Sequence, residues 1–249
     1  MIENIRASAV DGVDSPKRRV KASRMEVAMA RDQFHRQITQ LLDGVIEMGS
    51  MVDRATERAM TALVERDAAA AREVVEHDAD INQLNFHLQN SCISLLSLQA
   101  PMAGDLRVIV SVTSVLDNLE RMGDHAEGIA KIVLMMQDEP LVKPLIDLPI
   151  MAIKAREMLR LAVQSFVDRN PEAAYGVGRM DDVVDQLYEQ IYTDLVQIMV
   201  GDPSTIEPAT HLLWCAHNLE RIGDRATNIA ERTVYAATGM LPQMDVSSY

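Results

Sequence analysis

The string NLERMGDHAEGIA at 118–130 returns as NLERIGDRATNIA at 218–230, 100 residues later. A near-copy of that length makes the fold a duplication, because each copy must build the same local structure and bury the same face. The flanking text repeats too. LVERDAAAA (63–71) matches FVDRNPEAA (166–174), and DADINQL (78–84) matches DDVVDQL (181–187), both at an offset of 103. The offset falls back to 100 at the NLER string, so the loop before it is three residues shorter in the second copy.

Each copy reads as three helices. Phe34, Ile38, Leu41, Val45, Met48, Val52, Ala55, Ala59 and Leu63 recur at steps of three and four, which predicts one helix over 25–66. A second begins within 67–71 and runs to about 98. It stops there because Pro101 has no N–H and turns the residue before it away from helical angles. A third covers 103–137, and the residues from 138 to 144, with two prolines, form a linker. The second copy predicts helices over 150–169, 171–200 and 208–238, with Pro171 opening the middle one and Gly239 and Pro242 following the last. The expectation is an all-α protein of two tandem three-helix bundles, six long antiparallel helices with an internal pseudo-repeat. Its parts are a first repeat at 25–138, a second at 143–241 and a disordered basic tail at 1–24.

Charge narrows the function. Residues 1–25 carry six Lys/Arg against three Asp/Glu, so the start is near +3 and the remainder near −16. That balance excludes nucleic acid as the main partner, since phosphate binding needs a basic footprint. The two cysteines, Cys92 and Cys215, sit in helical text, which fits a reducing compartment and no disulfide framework. No run approaches the ~18 apolar residues of a membrane span, and the start lacks an apolar leader, so a soluble cytoplasmic protein is expected.

The repeated string carries the chemistry. At about 100° per residue, Leu119, Met122, Ala126, Ile129, Ala130 and Val133 fall on one stripe, and Asp117, Glu120, Asp124 and Glu127 on another. The second copy places His217, Glu220, Asp224, Asn228 and Glu231 on the equivalent face, with Leu219, Ile222, Ala226, Ile229 and Ala230 buried. Carboxylates at i and i+4 repel by a few tenths of a kcal/mol. Arg121 and Arg221, a step round the helix, are expected to point elsewhere. A hard cation such as Mg²⁺, Mn²⁺, Ca²⁺ or iron would relieve the repulsion and use the oxygen ligands. Asp78, Asn82, Asp181 and Asp185 sit at i and i+4 on the second helix of each copy and can face the same layer. Gly123 and Gly223 lie between the stripes, where a missing Cβ lets a helix or ligand come close. The alternative is a solvated acidic face, or a frame kept for packing, that binds basic partner surfaces without metal.

Enzyme readings fail on residue types. Di-iron oxidases need Glu-x-x-His on two helices, and the residue three after Glu120 or Glu220 is a glycine. Asp32 and His35 have that spacing once only. The histidines show no nucleophile–base pattern, and there is no phosphate-binding or dinucleotide glycine motif.

ERMGD (120–124), ERIGD (220–224), PMAGDLR (101–107) and the D-x-x-[IV]-[DN] elements at 78 and 181 resemble the PhoU family over roughly 28–240. The resemblance implies two tandem three-helix bundles, often dimeric, with no catalytic activity. It implies regulation of phosphate uptake and negative control of phosphate-starvation signalling. The partners it implies are the ATPase of a phosphate ABC transporter and a phosphate-sensing histidine kinase, so the protein would meet the membrane only through them. The family's acidic motifs, credited with iron or divalent metals (Fe, Mn, Mg or Zn), fall on Glu120 and Asp124, Glu220 and Asp224, and Asp181 and Asp185. Asp117 extends the first stripe. Asp78 departs from the pattern, being paired with Asn82, whose neutral amide is a weaker ligand.

Overall fold

The computed structural model describes residues 16–99, 101–136 and 141–244. Six α-helices follow one another: α1 (Pro16–Glu65), α2 (Ala68–Gln99), α3 (Ala103–Met135), α4 (Asp147–Val167), α5 (Pro171–Gly201) and α6 (Ile206–Thr238), with a 3-10 turn, Pro203–Thr205, before the last. Among the described residues there is no strand. The chain divides after Thr39. The N-terminal unit holds the start of α1, where Phe34 and Ile38 are buried. The unit from Gln40 onward holds everything described next.

Three boundaries differ from expectation. α1 starts at Pro16, so residues 16–24 of the expected tail are helical, while 1–15 lie outside the described residues. Proline at the first helical position followed by Lys, Arg and Ala suits a helix without any apolar period to announce it. α4 starts at Asp147, whose carboxylate favours a helix N-terminus. α6 starts at Ile206 and takes Pro208 into its first turn, where no intrahelical N–H is required.

The turn ending the first helix of each repeat is built twice. Arg66 and Arg169, aligned in LVERD and FVDRN, both adopt left-handed angles (φ 56 and 51). The next residue caps the following helix. Asp67 Oδ1 accepts from the N–H groups of Ala69 and Ala70, and Asn170 Oδ1 from those of Glu172 and Ala173. Asn170→Ala is expected to destabilise the fold by about 1 kcal/mol in urea denaturation, since two N–H groups lose their acceptor. A change below a few tenths of a kcal/mol would mean solvent replaces the cap.

The repeats pack antiparallel. On α4, Arg156 pairs with Asp53 and Glu57 of α1, and Val163 packs on Gly49, so residue numbers fall on α4 as they rise on α1. α3 and α6 cross the same way. His125 Nδ1 lies 2.9 Å from Asn218 Oδ1, and Gly239 at the end of α6 lies near Arg107 at the start of α3. α2 packs on α3 and, through Leu88 against Gly44, on α1, whereas α5 packs on α4 and α6. Leu119, Met122, Ala126, Ile129, Leu219, Ile222, Ala226 and Ile229 are fully buried, the apolar stripes expected for the repeated string. Burying each Leu or Ile side chain contributes about 2 kcal/mol. With those stripes turned inward, the acidic stripes of α3 and α6 face the grooves under α2 and α5.

Candidate functional site

Gly123 and Gly223 are positions where side chains of α2 and α5 come close to the third helix of each repeat. A Cβ on Gly123 would sit 3.3 Å from the Ile81 side chain and 3.4 Å from Asp78 Oδ1. A Cβ on Gly223 would sit 3.3 Å from Asp181 Oδ1 and 3.4 Å from Val184. In each repeat, then, glycine on the third helix admits an aspartate from the second. Glycine in a helix interior costs about 1 kcal/mol against alanine, and this approach is the reason for it.

In the first repeat Asp78 joins the carboxylates of α3. Burial raises its pKa above the ordinary value, and Glu127 and Asp124 raise it further, against the opposing effects of Asn82 and Lys131. Asn82 Nδ2 donates to Asp78 Oδ2 at 2.8 Å, while Oδ1 is buried and accepts no hydrogen bond. Glu120 is raised by burial and by Asp124, with smaller contributions from Asp117 and Asp78 against Arg121. Asp117 itself is exposed and accepts from Gln89 Nε2 at 3.1 Å. Glu127, half-buried and ion-paired to Lys131, lines a cleft of about 130 Å³ with Asp78, Gly123, Arg54, Arg58 and His77. The sequence places it on the acidic stripe, three residues after Asp124, but outside the expected ligand set. The basic wall from α1 was not legible, since it comes from a helix distant in sequence.

In the second repeat Asp181 and Glu220 are buried, at 7% and 3% exposure, and Asp185 and Asp224 are half-buried. These carboxylates turn into the groove between helices and not outward as a solvated face would.

The arginines depart from expectation. Arg121 Nη1 donates to Asp124 Oδ2 at 3.2 Å and its Nε lies 3.5 Å from Glu120 Oε2. Arg221 does the same at 2.9 Å to Asp224 and 3.2 Å to Glu220. The side chain is long enough to fold back along its own helix, and its fork spans two acids one turn apart. The repulsion read from the i, i+4 spacing is thus partly relieved from within the chain.

Among the described residues, no three His, Cys, Asp or Glu side chains already converge as a metal cage. The donor set still suits a hard cation: carboxylate oxygens from two helices, with Asp78 Oδ1 of the first cluster buried without a donor, and glycines that leave the approach open. Seating an ion would require Arg121 or Arg221 to swing aside. The two cysteines are free and buried, and burial pushes the Cys92 thiol up to about 11 and the Cys215 thiol up to about 12, away from the thiolate form.

The chain is similar to known proteins over most of its length. The family model described as PhoU domain matches residues 45–133 and 148–233, one match within each expected repeat. A Zymomonas mobilis protein named phosphate-specific transport system accessory protein PhoU homolog is 36% identical over 78% of this chain and 82% of its own. The crystal structure of PhoU from Pseudomonas aeruginosa superposes with a TM-score of 0.80 at 29% identity, covering 83% of this chain and all of that one. The phosphate transport system regulatory protein PhoU from Streptococcus pneumoniae gives 0.79 at 30% identity, over 84% of this chain and 99% of its own.

Proposed function

This chain belongs to the PhoU family, and from that premise we propose that it regulates phosphate uptake and restrains phosphate-starvation signalling as a metal-binding adaptor. It acts as an accessory protein and not as an enzyme, in keeping with the names of its relatives. Its partners are the ATPase of the phosphate transporter and the phosphate-sensing kinase, which it meets as a homodimer. No described helix is long and apolar enough to cross a membrane.

The observation that supports the metal half is the aspartate seated on a glycine beside stacked carboxylates, built in both repeats. Asp78, Glu120 and Asp124, with Glu127 and Asp117 at the edge, would hold a cation in the first. Asp181, Asp185, Glu220 and Asp224 would hold one in the second. Asn82 supplies at most an amide oxygen, which makes the first set the weaker. A hard cation such as Mn²⁺ or Fe²⁺ would supply positive charge between the two helix faces, and Arg121 and Arg221 would have to leave their carboxylates to admit it.

The test is calorimetric titration of chelator-stripped protein with Mn²⁺. Binding accompanied by a rise in Tm is expected, and Glu220→Gln/Asp224→Asn should weaken the tighter site at least tenfold. Unchanged binding in that double variant would overturn the assignment. The arginine bridges favour a second reading, a metal-independent adaptor whose acidic faces take basic partner surfaces. Partner binding indifferent to chelator but lost with salt would select it.

A further inference from the structure

The two repeats pack the same pair of helices over their acidic clusters, yet, besides Asn82 against Asp185, they diverge at one group of aromatic positions. On α5 and α6 stand Tyr188, Tyr192, Trp214 and His217. The aligned positions of α2 and α3 hold Asn85, Gln89, Ser114 and Asp117. There Gln89 Nε2 donates to the Thr113 carbonyl and to Asp117, so polar side chains suffice to pack this part of the groove. The aromatic set is therefore not demanded by the helix pair.

Nor is it hidden. Trp214 and Tyr192 are 49% and 48% exposed in a chain with only 4% aromatic residues. The Tyr188 ring lies 6.5 Å from Tyr192 and 6.3 Å from His217, and Trp214 stands one turn before His217 in a T-shaped contact with His211. Carboxylates border the patch. His217 Nδ1 is 3.7 Å from Glu220 Oε2, Asp185 precedes Tyr188 by one turn, and Glu189 precedes Tyr192 by one turn. Burial and the charge of Glu220 both raise the Tyr188 pKa, in keeping with their closeness. Arg221 already places a guanidinium at this border, on Glu220 and Asp224.

We infer that the Tyr188–Tyr192–Trp214–His217 face of α5 and α6 is a docking surface for an arginine-bearing segment of another protein. Guanidinium planes would stack on the exposed rings and pair with the exposed Glu189. Tryptophan and tyrosine are the best platforms for such stacking, and arginine fits them better than the compact lysine ammonium. Trp, Tyr and Arg are also the residues enriched where interface energy concentrates once a partner has covered them. The surface goes beyond the cation reading, and it operates whether or not the clusters take up metal.

Trp214 is the sole tryptophan of the chain, so its fluorescence reports on this face directly. The experiment titrates full-length protein, with chelator present, with a labelled deca-arginine peptide, following anisotropy and Trp214 emission. Saturable binding with a shift in emission is expected. Tyr192→Gln and Trp214→Ser, each replaced by its first-repeat counterpart, should weaken binding at least fivefold singly and more than twentyfold together. Both variants keep the net charge, so attraction of the peptide to an acidic protein in general would leave them equal to wild type and overturn the proposal. Binding with no change in Trp214 emission would do the same. Loss of dimerisation in the variants, by sedimentation, would also overturn it by making the face a contact between copies. Because chelator is present throughout, failure of the cation assignment leaves these readouts untouched.

Discussion

Arg156→Ala is expected to lower the stability of the folded protein by about 2–3 kcal/mol, visible as a lower urea midpoint at unchanged slope. Arg156 reaches from α4 to α1 and grips Asp53 through two nitrogens, at 2.8 and 3.1 Å, with Glu57 at 2.9 Å. Its hydrogen bonds to Asp53 hold the guanidinium pKa above its ordinary value, against the effect of burial. The side chains of Arg156 and Asp53 are 14% and 16% exposed, so removing the arginine strands a largely desolvated carboxylate. Arg160 at 3.5 Å is a poor substitute, because it is mostly in solvent. Residual water access keeps the loss below the 3–5 kcal/mol of a fully buried pair. A double-mutant cycle with Asp53→Ala should show coupling of about 1 kcal/mol or more. Additive losses would mean that Arg156 acts only through its apolar stem.

Gly223→Leu is expected to destabilise by about 2 kcal/mol and to weaken the cation binding proposed for the second cluster. Overpacking a close helix contact has that order of cost, and the neighbours leave little choice of escape. Asp181 Oδ1 and Val184 stand 3.3 and 3.4 Å from where a Cβ begins, and both are anchored in α5. Either α5 moves away or Asp181 leaves the groove, and each separates the carboxylates. Gly104→Ala is the control, since nothing lies within 4 Å of a Cβ there and it sits in a helix. It should be neutral or stabilising by up to about 1 kcal/mol. Urea denaturation checks both, and a Gly223→Leu protein as stable as wild type would mean the close approach is dispensable.

Much of this was legible in the residues themselves. The duplicated NLERxGD string, the turn residues Asp67 and Asn170, and the apolar steps of α3 and α6 are local signals, each read over a few turns of one helix. They were enough for six helices, the buried stripes, and the acidic residues facing a neighbouring helix. The start of α1 was missed because a helix of Lys, Arg and Ala needs no apolar period. The folding back of Arg121 and Arg221 was missed because a helical wheel places Cβ atoms and not the ends of long side chains.

Sequence by itself therefore determined the repeat, the helices and which face of each is apolar, since these depend on neighbours three or four residues apart. Only the tertiary structure decided that Asp78 and Asp181 sit on glycines, that Arg54 and Arg58 wall the first groove, and that Tyr188 meets His217. Those contacts join residues tens of positions apart, and their distances are set by the packing of one helix on another, which no local period encodes.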